Sequence, residues 1–293
     1  DMKYGAWFSH SDIGNDPIVI RDFAQAVDGA GFDRLYAAEH VVGGHPDRAD
    51  GQVVHTNTVP YHEPFVLFGF MAAVTSHIEL MTAVLVLPQR QTALVAKQAA
   101  ELDVLSGGRA CLGVGVGRNW MEYEALNEDF RTRGRRLEEQ VTVLRRLWTE
   151  DYVTFEGEWH HLDRIGLNPA PVRRPIPIWM GSFRGAVVEK VLQRTARIAD
   201  GWLPQFSADD EFRAVAERFW GYVDAAGRDR SGLGMDCPIT IQRGDSPDRW
   251  IAETERFRVL GATHVRVITA GGGFESPQEH LDAILRWKSA VTP

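Results

Sequence analysis

Residues 78–119 read IELMTAVLVLPQRQTALVAKQAAELDVLSGGRACLGVGVGRN. A first apolar run breaks at Pro88. An amphipathic segment follows and stops at Ser106-Gly107-Gly108, and a second apolar run ends in Gly113-Val-Gly-Val-Gly117-Arg118-Asn119. Short apolar runs between turn signals are expected of parallel strands buried on both faces, with a crossover helix between them. Two such strands, each ending in a loop of unusual composition, form the unit from which an α/β barrel is built.

The same alternation extends in both directions. Strand candidates fall at 3–9, 33–38, 78–84, 110–114, 176–180, 199–203, 238–241 and 264–268. Ile20, Phe23, Ala24 and Val27 give an apolar helix face after Asp16 as N-cap and Pro17 at the first helical position. Leu137, Val141, Leu144 and Trp148 repeat that spacing. Ser246-Pro247 and Ser276-Pro277 open the last two helices, and Glu279 stands where a capping box wants it. Two stretches interrupt the pattern. Residues 40–63 are rich in His, Gly and Asp, and residues 149–175 hold Val153-Thr-Phe-Glu-Gly-Glu-Trp159, which reads as a hairpin turning at Gly157. The expected fold is a single (β/α)8 TIM-barrel domain over residues 1–293, with insertions after strand two and before strand five; a doubly wound open sheet is the rival.

Composition narrows the function classes. The 293 residues suffice for one large barrel, and an apolar fraction of 44% with 25% charged residues argues against disorder. A net charge of −8 and the lack of a basic stripe speak against nucleic acid as a partner. No apolar run reaches membrane-spanning length, no leader-like pattern opens the sequence, and Cys111 and Cys237 stand far apart outside any Cys-x-x-Cys spacing. A cytoplasmic protein with no membrane partner is expected.

Strand two ends in Tyr36-Ala37-Ala38-Glu39-His40. Polar residues at the C-terminal end of a barrel strand face the common mouth, where an ionisable pair can move protons and orient a ring. The bland alternative is that Glu39 caps the next segment and His40 bonds a loop carbonyl. The glycines before Arg118 let the backbone approach a ligand, although the spacing differs from a dinucleotide fingerprint, and a turn chosen for packing is the alternative. Gly181-Ser182-Phe183-Arg184-Gly185, leading to a helix expected from Ala186, has the make-up of an anion site: backbone N–H groups at a helix start and a guanidinium fork. The alternative there is a plain helix cap. His40, His45, His55 and His62 crowd one loop with Asp47 and Asp50, but no recognised ligand spacing occurs and no metal is expected. His160-His161 has no evident partner, and no nucleophile elbow is present.

The run from Leu102-Asp-Val-Leu-Ser-Gly-Gly-Arg109 through the glycine loop to Asn119-Trp-Met-Glu122-Tyr123 resembles the bacterial-luciferase-like family of flavin- and deazaflavin-dependent oxidoreductases. So do Ile176-Pro-Ile-Trp-Met-Gly181 and Ala196-Arg-Ile-Ala-Asp-Gly-Trp202. The likeness covers residues 3–203 and is most similar to the branch that uses coenzyme F420. It implies a TIM barrel, commonly homodimeric, passing a hydride between the deazaflavin and a small organic substrate. It also implies a β-bulge at Ala83–Val84, often with a non-proline cis peptide, behind the ring. The resemblance places cofactor contacts at Phe8, Glu39, Ala83, Val84, Val86, Val116, Gly117, Asn119 and Met180, and at Gly181, Ser182, Arg184 and Gly185 for the phosphate. His40 is expected to be the acid–base residue, with Glu39 orienting the cofactor. Gly181→Asp is expected to abolish cofactor binding without changing apo-protein stability.

Glucose-6-phosphate dehydrogenases of this family carry Glu and Asn where this chain has Arg118 and Met121, so a sugar phosphate is not the expected substrate. Val53, Val54, Val59, Tyr61 and Phe65 would instead wall an apolar pocket. The alternatives are an FMN-dependent two-component monooxygenase served by a separate reductase, and a flavin- or deazaflavin-binding protein without turnover.

Overall fold

The eight apolar runs become one closed barrel in the computed structural model, which describes residues 2–48, 55–183 and 189–292. In chain order the strands are β1 (Lys3–Trp7), β2 (Arg34–Ala37), β3 (Glu79–Val86), β4 (Ala110–Gly115), β5 (Val153–Glu156), β6 (His161–Ile165), β7 (Ile178–Phe183), β8 (Gly201–Gln205), β9 (Gly234–Thr240) and β10 (His264–Ile268). The ring runs β1-β2-β3-β4-β7-β8-β9-β10 and closes on β1, with every pair parallel, while β5 and β6 form a separate antiparallel hairpin. The helices are α1 (His10–Ile13), α2 (Pro17–Gly29), α3 (Pro64–Val74), α4 (Thr92–Ser106), α5 (Trp120–Ala125), α6 (Arg133–Thr149), α7 (Glu189–Ile198), α8 (Asp210–Ala225), α9 (Pro247–Val259) and α10 (Pro277–Val291). This is the (β/α)8 architecture, and the open-sheet rival is excluded by the β1–β10 ladder. No described helix is long and apolar enough to cross a membrane.

Two cores follow from strands buried on both faces. The larger lies between strands and helices, and a smaller one of Tyr36, Met81, Ala83, Cys111, Trp179 and Leu203 is separate from it. The Tyr36 hydroxyl donates to Asp236 across the barrel, since β2 and β9 are not neighbours in the ring. Arg266 donates to Asp236 (2.8 Å) and to the Pro204 carbonyl (3.0 Å), and Arg34 to Glu79 (2.6 Å). Buried charges are tolerated there because each has an opposite partner. Both cysteines are free and buried, and burial pushes the Cys111 thiol up to about 12, far from a reactive thiolate.

Local signals are kept with small corrections. Asp16 caps α2 by accepting from the Ile18 N–H (2.8 Å). Ser276 caps α10 through the Glu279 N–H (3.2 Å), but the Glu279 carboxylate reaches back to the Glu275 N–H (2.9 Å), one residue before the one a capping box uses. The strand expected at 238–241 starts at Gly234 and runs through Pro238. Proline is accommodated because the β8–β9 ladder ends at Met235, so no bond toward β8 is lost. The expected hairpin exists, but its second arm is β6, beyond Trp159. The Glu139 carboxylate on α6 holds its turn by accepting the N–H groups of Glu158, Trp159 and His160 (2.9 Å each). His160 does have partners, Glu139 (2.7 Å) and the Thr92 hydroxyl (2.6 Å). Such long-range bonds leave no local pattern. Ala186, the expected first residue of the next helix, lies outside the described residues, and α7 is described from Glu189.

Candidate active site at the C-terminal mouth of the barrel

The mouth is built from the ends of β1 to β4 and β7. Between its residues paired to Leu112 and Val114 of β4, Thr82 and Leu85, β3 has two residues where β4 has only Gly113, so β3 carries one extra residue. The bulge falls at Ala83–Val84, whose peptide bond is cis. It turns the Val84 side chain toward the neighbouring strands. A Cβ on Gly115 would stand 2.8 Å from Val84 Cγ2, and one on Gly181 would stand 2.6 Å from Val84 Cγ1. Only glycine at both positions lets Val84 occupy this seat between β4 and β7.

The chain leaving β2 delivers the ionisable pair. Glu39 is buried, and both its oxygens are taken: Oε2 accepts the Val86 N–H (2.7 Å) and Oε1 the Arg90 guanidinium (2.7 Å from Nε). Burial pushes its carboxyl up against the pull of Arg90. Arg90 also reaches Glu63 (2.9 Å), so Glu39 ties the end of β3 to the start of α3. Both Glu39 oxygens are thus committed to protein groups at this end of the barrel.

His40 faces differently. Its Nδ1 lies 3.0 Å from Glu122 Oε2 on α5. Glu122 is 1% exposed and also accepts the Val41 N–H (2.6 Å) and the Asn119 side-chain N–H (3.1 Å). Burial opposes ionisation of Glu122, but the His40 and Val41 bonds outweigh it and hold the carboxyl below its usual range. A carboxylate only accepts, so Nδ1 carries the hydrogen and Nε2 is left for other chemistry. The α5 helix is fixed by buried Tyr123, whose hydroxyl donates to the Val116 carbonyl (2.6 Å).

The insertion after β2 folds back on itself. The Gly44 N–H donates to the His55 carbonyl (3.0 Å), and the rings of His55 and Tyr61 meet His40 at centroid distances of 3.7 and 4.7 Å. Burial, then His40, lowers the His55 pKa, while burial, then Glu122, raises that of Tyr61. On the β1 side, His10 bonds the Ala38 carbonyl (3.1 Å) and stacks obliquely near His62 (5.6 Å); burial, then His62, lowers its pKa to about 4.

Of the other expected residues, Phe8 is fully buried against His10, Phe23 and His62. Val86 binds Glu39 through its backbone, and Gly117 has φ of 63°, a turn suited to glycine. Asn119 is 3% exposed, and its Oδ1 has no hydrogen-bond partner among the described residues. Met180 is buried in β7, and the Ser182 hydroxyl accepts the Trp202 indole N–H (2.8 Å). Arg184 and Gly185, with Asp50, Val53 and Val54 of the insertion, lie outside the described residues. The structure therefore brings His40, the bulge, Val116–Asn119 and Gly181 to one mouth. Sequence reasoning missed Arg90 and Glu122 as members of it. The signal for Glu122 was present in the spacing Asn119-x-x-Glu122, which reads locally as helix capping, although Asn119 makes no side-chain cap.

Comparison with known proteins agrees with this architecture. A luciferase-like monooxygenase family model matches residues 6–285. An F420-dependent glucose-6-phosphate dehydrogenase of Segniliparus rotundus is 30% identical over 255 residues, 81% of this chain and 68% of that one. Among solved structures, an F420-dependent secondary alcohol dehydrogenase in complex with an F420-acetone adduct superposes with a TM-score of 0.76 at 18% identity, covering 100% of this chain and 99% of that one. Monooxygenase RslO1 from Streptomyces bottropensis gives 0.79 at 18% identity, covering 99% and 98%. With the family model spanning nearly the whole barrel, the chain belongs to the luciferase-like monooxygenase family.

Proposed function

We propose that this protein is an F420-dependent oxidoreductase that moves a hydride between the deazaflavin and a small organic substrate, with His40 handling the accompanying proton. The observation that carries this reading is an imidazole presented at the barrel mouth by a buried, ionised carboxylate, Glu122, beside the strand-three bulge. The cofactor, when bound, supplies the carbon that gives or takes the hydride.

The residues present fit such a group. Gly115 and Gly181 leave bare backbone on either side of Val84, which suits a flat ring needing one raised support. Asn119 Oδ1, buried without a partner among the described residues, is an acceptor suited to a ring N–H. Glu122 fixes the His40 tautomer with the hydrogen on Nδ1, so Nε2 is the atom that gives or takes the proton. Glu39 acts through structure, holding the bulged strand by the Val86 N–H. Gly181 and Ser182 at the end of β7, with Arg184 and Gly185 outside the described residues, are assigned by the family resemblance to the cofactor's phosphate.

F420 is favoured over FMN by the F420-dependent relative at 30% identity. That relative is a glucose-6-phosphate dehydrogenase, whereas Arg118 and Met121 argue for a different substrate here. The second reading, an FMN-dependent monooxygenase fed by a separate reductase, is favoured by the family's own description and by the likeness to RslO1. Parallel fluorescence titrations with F420 and FMN decide between them. Clearly tighter F420 binding is expected; tight FMN binding with flavin-dependent oxygen consumption and no response to F420 reverses the assignment. A cytoplasmic homodimer is part of the same proposal, and light scattering on the purified protein checks the dimer.

A further inference from the structure

We propose that His40, His55 and Glu122 form a site for one divalent transition-metal ion, with Zn2+ as the reference ion, and that the ion replaces the proton now shared by His40 and Glu122. One donor atom from each residue lies within 4.8 Å of the other two. His40 Nδ1 and Glu122 Oε2 are already 3.0 Å apart. Donors about 2.1 Å from a tetrahedral ion stand about 3.4 Å from one another, so the His40–Glu122 pair is already near ligand spacing and the His55 donor is within reach of it.

Two further observations point to a ligand. His55 Nδ1 is buried with no hydrogen-bond partner among the described residues, while its Nε2 bonds the Val42 carbonyl (2.9 Å). A carbonyl accepts, so Nε2 carries the hydrogen and Nδ1 presents a bare lone pair. An outer hydrogen bond that sets the tautomer is the usual arrangement of a metal-binding imidazole. The carboxylate is oriented in the same manner, by the Val41 N–H (2.6 Å) and the Asn119 amide (3.1 Å). Two imidazoles and one carboxylate suit a borderline ion and leave a fourth position open. The ligands come from the end of β2, the folded-back insertion and α5, which is why no sequence spacing announces them.

The site goes beyond the proposed oxidoreductase and stands or falls separately, because the ion is measured on apo-protein without any cofactor. Occupation takes His40 out of proton transfer, so Zn2+ is also expected to inhibit turnover. The test is a Zn2+ titration against a chromophoric chelator, with Co2+ absorption as a spectroscopic companion. One ion per chain is expected, with intense visible Co2+ bands of low coordination number. His55→Ala and Glu122→Gln, each checked for an unchanged melting curve, should each weaken Zn2+ at least about tenfold, whereas His62→Ala should not. X-ray absorption on the Zn2+-loaded wild-type protein needs no variant and should show two imidazoles and oxygen. Less than one ion per chain, a spectrum without two imidazoles, or affinity unmoved by both substitutions overturns the site.

Discussion

Neighbouring residues Glu39 and His40 have opposite fates, and the difference is one of hydrogen-bond accounting. Glu39 has both oxygens occupied by Arg90 and Val86, whereas His40 has one ring nitrogen fixed and the other without a hydrogen bond among the described residues. His40→Ala should therefore bind cofactor almost normally and lose about a hundred- to ten-thousand-fold in turnover, read by single-turnover kinetics beside a binding titration. Full turnover in that variant would move the proton to solvent or to His62. Glu39→Ala should act on the fold first. Arg90 loses its buried partner but keeps Glu63, which places the cost near the lower end for a broken buried pair, about 3 kcal/mol. Chemical denaturation of the apo-protein checks it, and unchanged stability with lost cofactor affinity would return Glu39 to the cofactor.

At the scale of elements, the bulge in β3 is one half of a contact whose other half is two glycines on β4 and β7. An added Cβ at Gly181 would stand 2.6 Å from Val84, so Gly181→Asp is not the stability-neutral probe that the sequence suggests. Gly181→Ala should destabilise the apo-protein by about 1–3 kcal/mol through overpacking. Val84→Ala should recover much of that loss in the double variant, a non-additivity expected of side chains in contact. Additive melting shifts across the cycle would show that Val84 does not seat against Gly181. The insertion after β2 follows the same logic, since the Gly44–His55 backbone bond places the His55 ring.

Across the whole molecule, buried histidines set the response to acid. His10 and His264 are each lowered to about 4, in both cases first by burial, then by His62 for His10 and by Arg34 for His264. The unfolded chain takes up these protons at a higher pH than the folded one. Their stabilisation is thus complete above about pH 6.5 and lost as the pH falls toward 4, on the order of 3 kcal/mol for each. Glu79 and Glu122, held below their usual range, act in the same direction on further acidification. Melting temperature should fall steeply between about pH 6.5 and pH 4, and His264→Phe should flatten part of that fall. A flat profile would mean that these imidazoles are hydrated in the folded state.

The barrel was legible in the sequence because its determinants are local. Apolar runs, helix caps such as Asp16-Pro17 and Ser246-Pro247, and turn glycines each bias the backbone where they stand, and eight repeats of one pattern leave few ways to close. The position of His40 followed from the same rule, and the bulge at Ala83–Val84 from resemblance. The partners that decide what those residues do were not legible. Glu122 meets His40 from α5, His55 arrives by a loop folding back, and Arg90 reaches Glu39 from the turn after β3. Such contacts join residues far apart in the chain, so they exist only once the barrel has brought its loops to one end. Sequence by itself determined the scaffold and the end at which chemistry assembles; tertiary structure decided which carboxylate holds the strand and which one holds the imidazole.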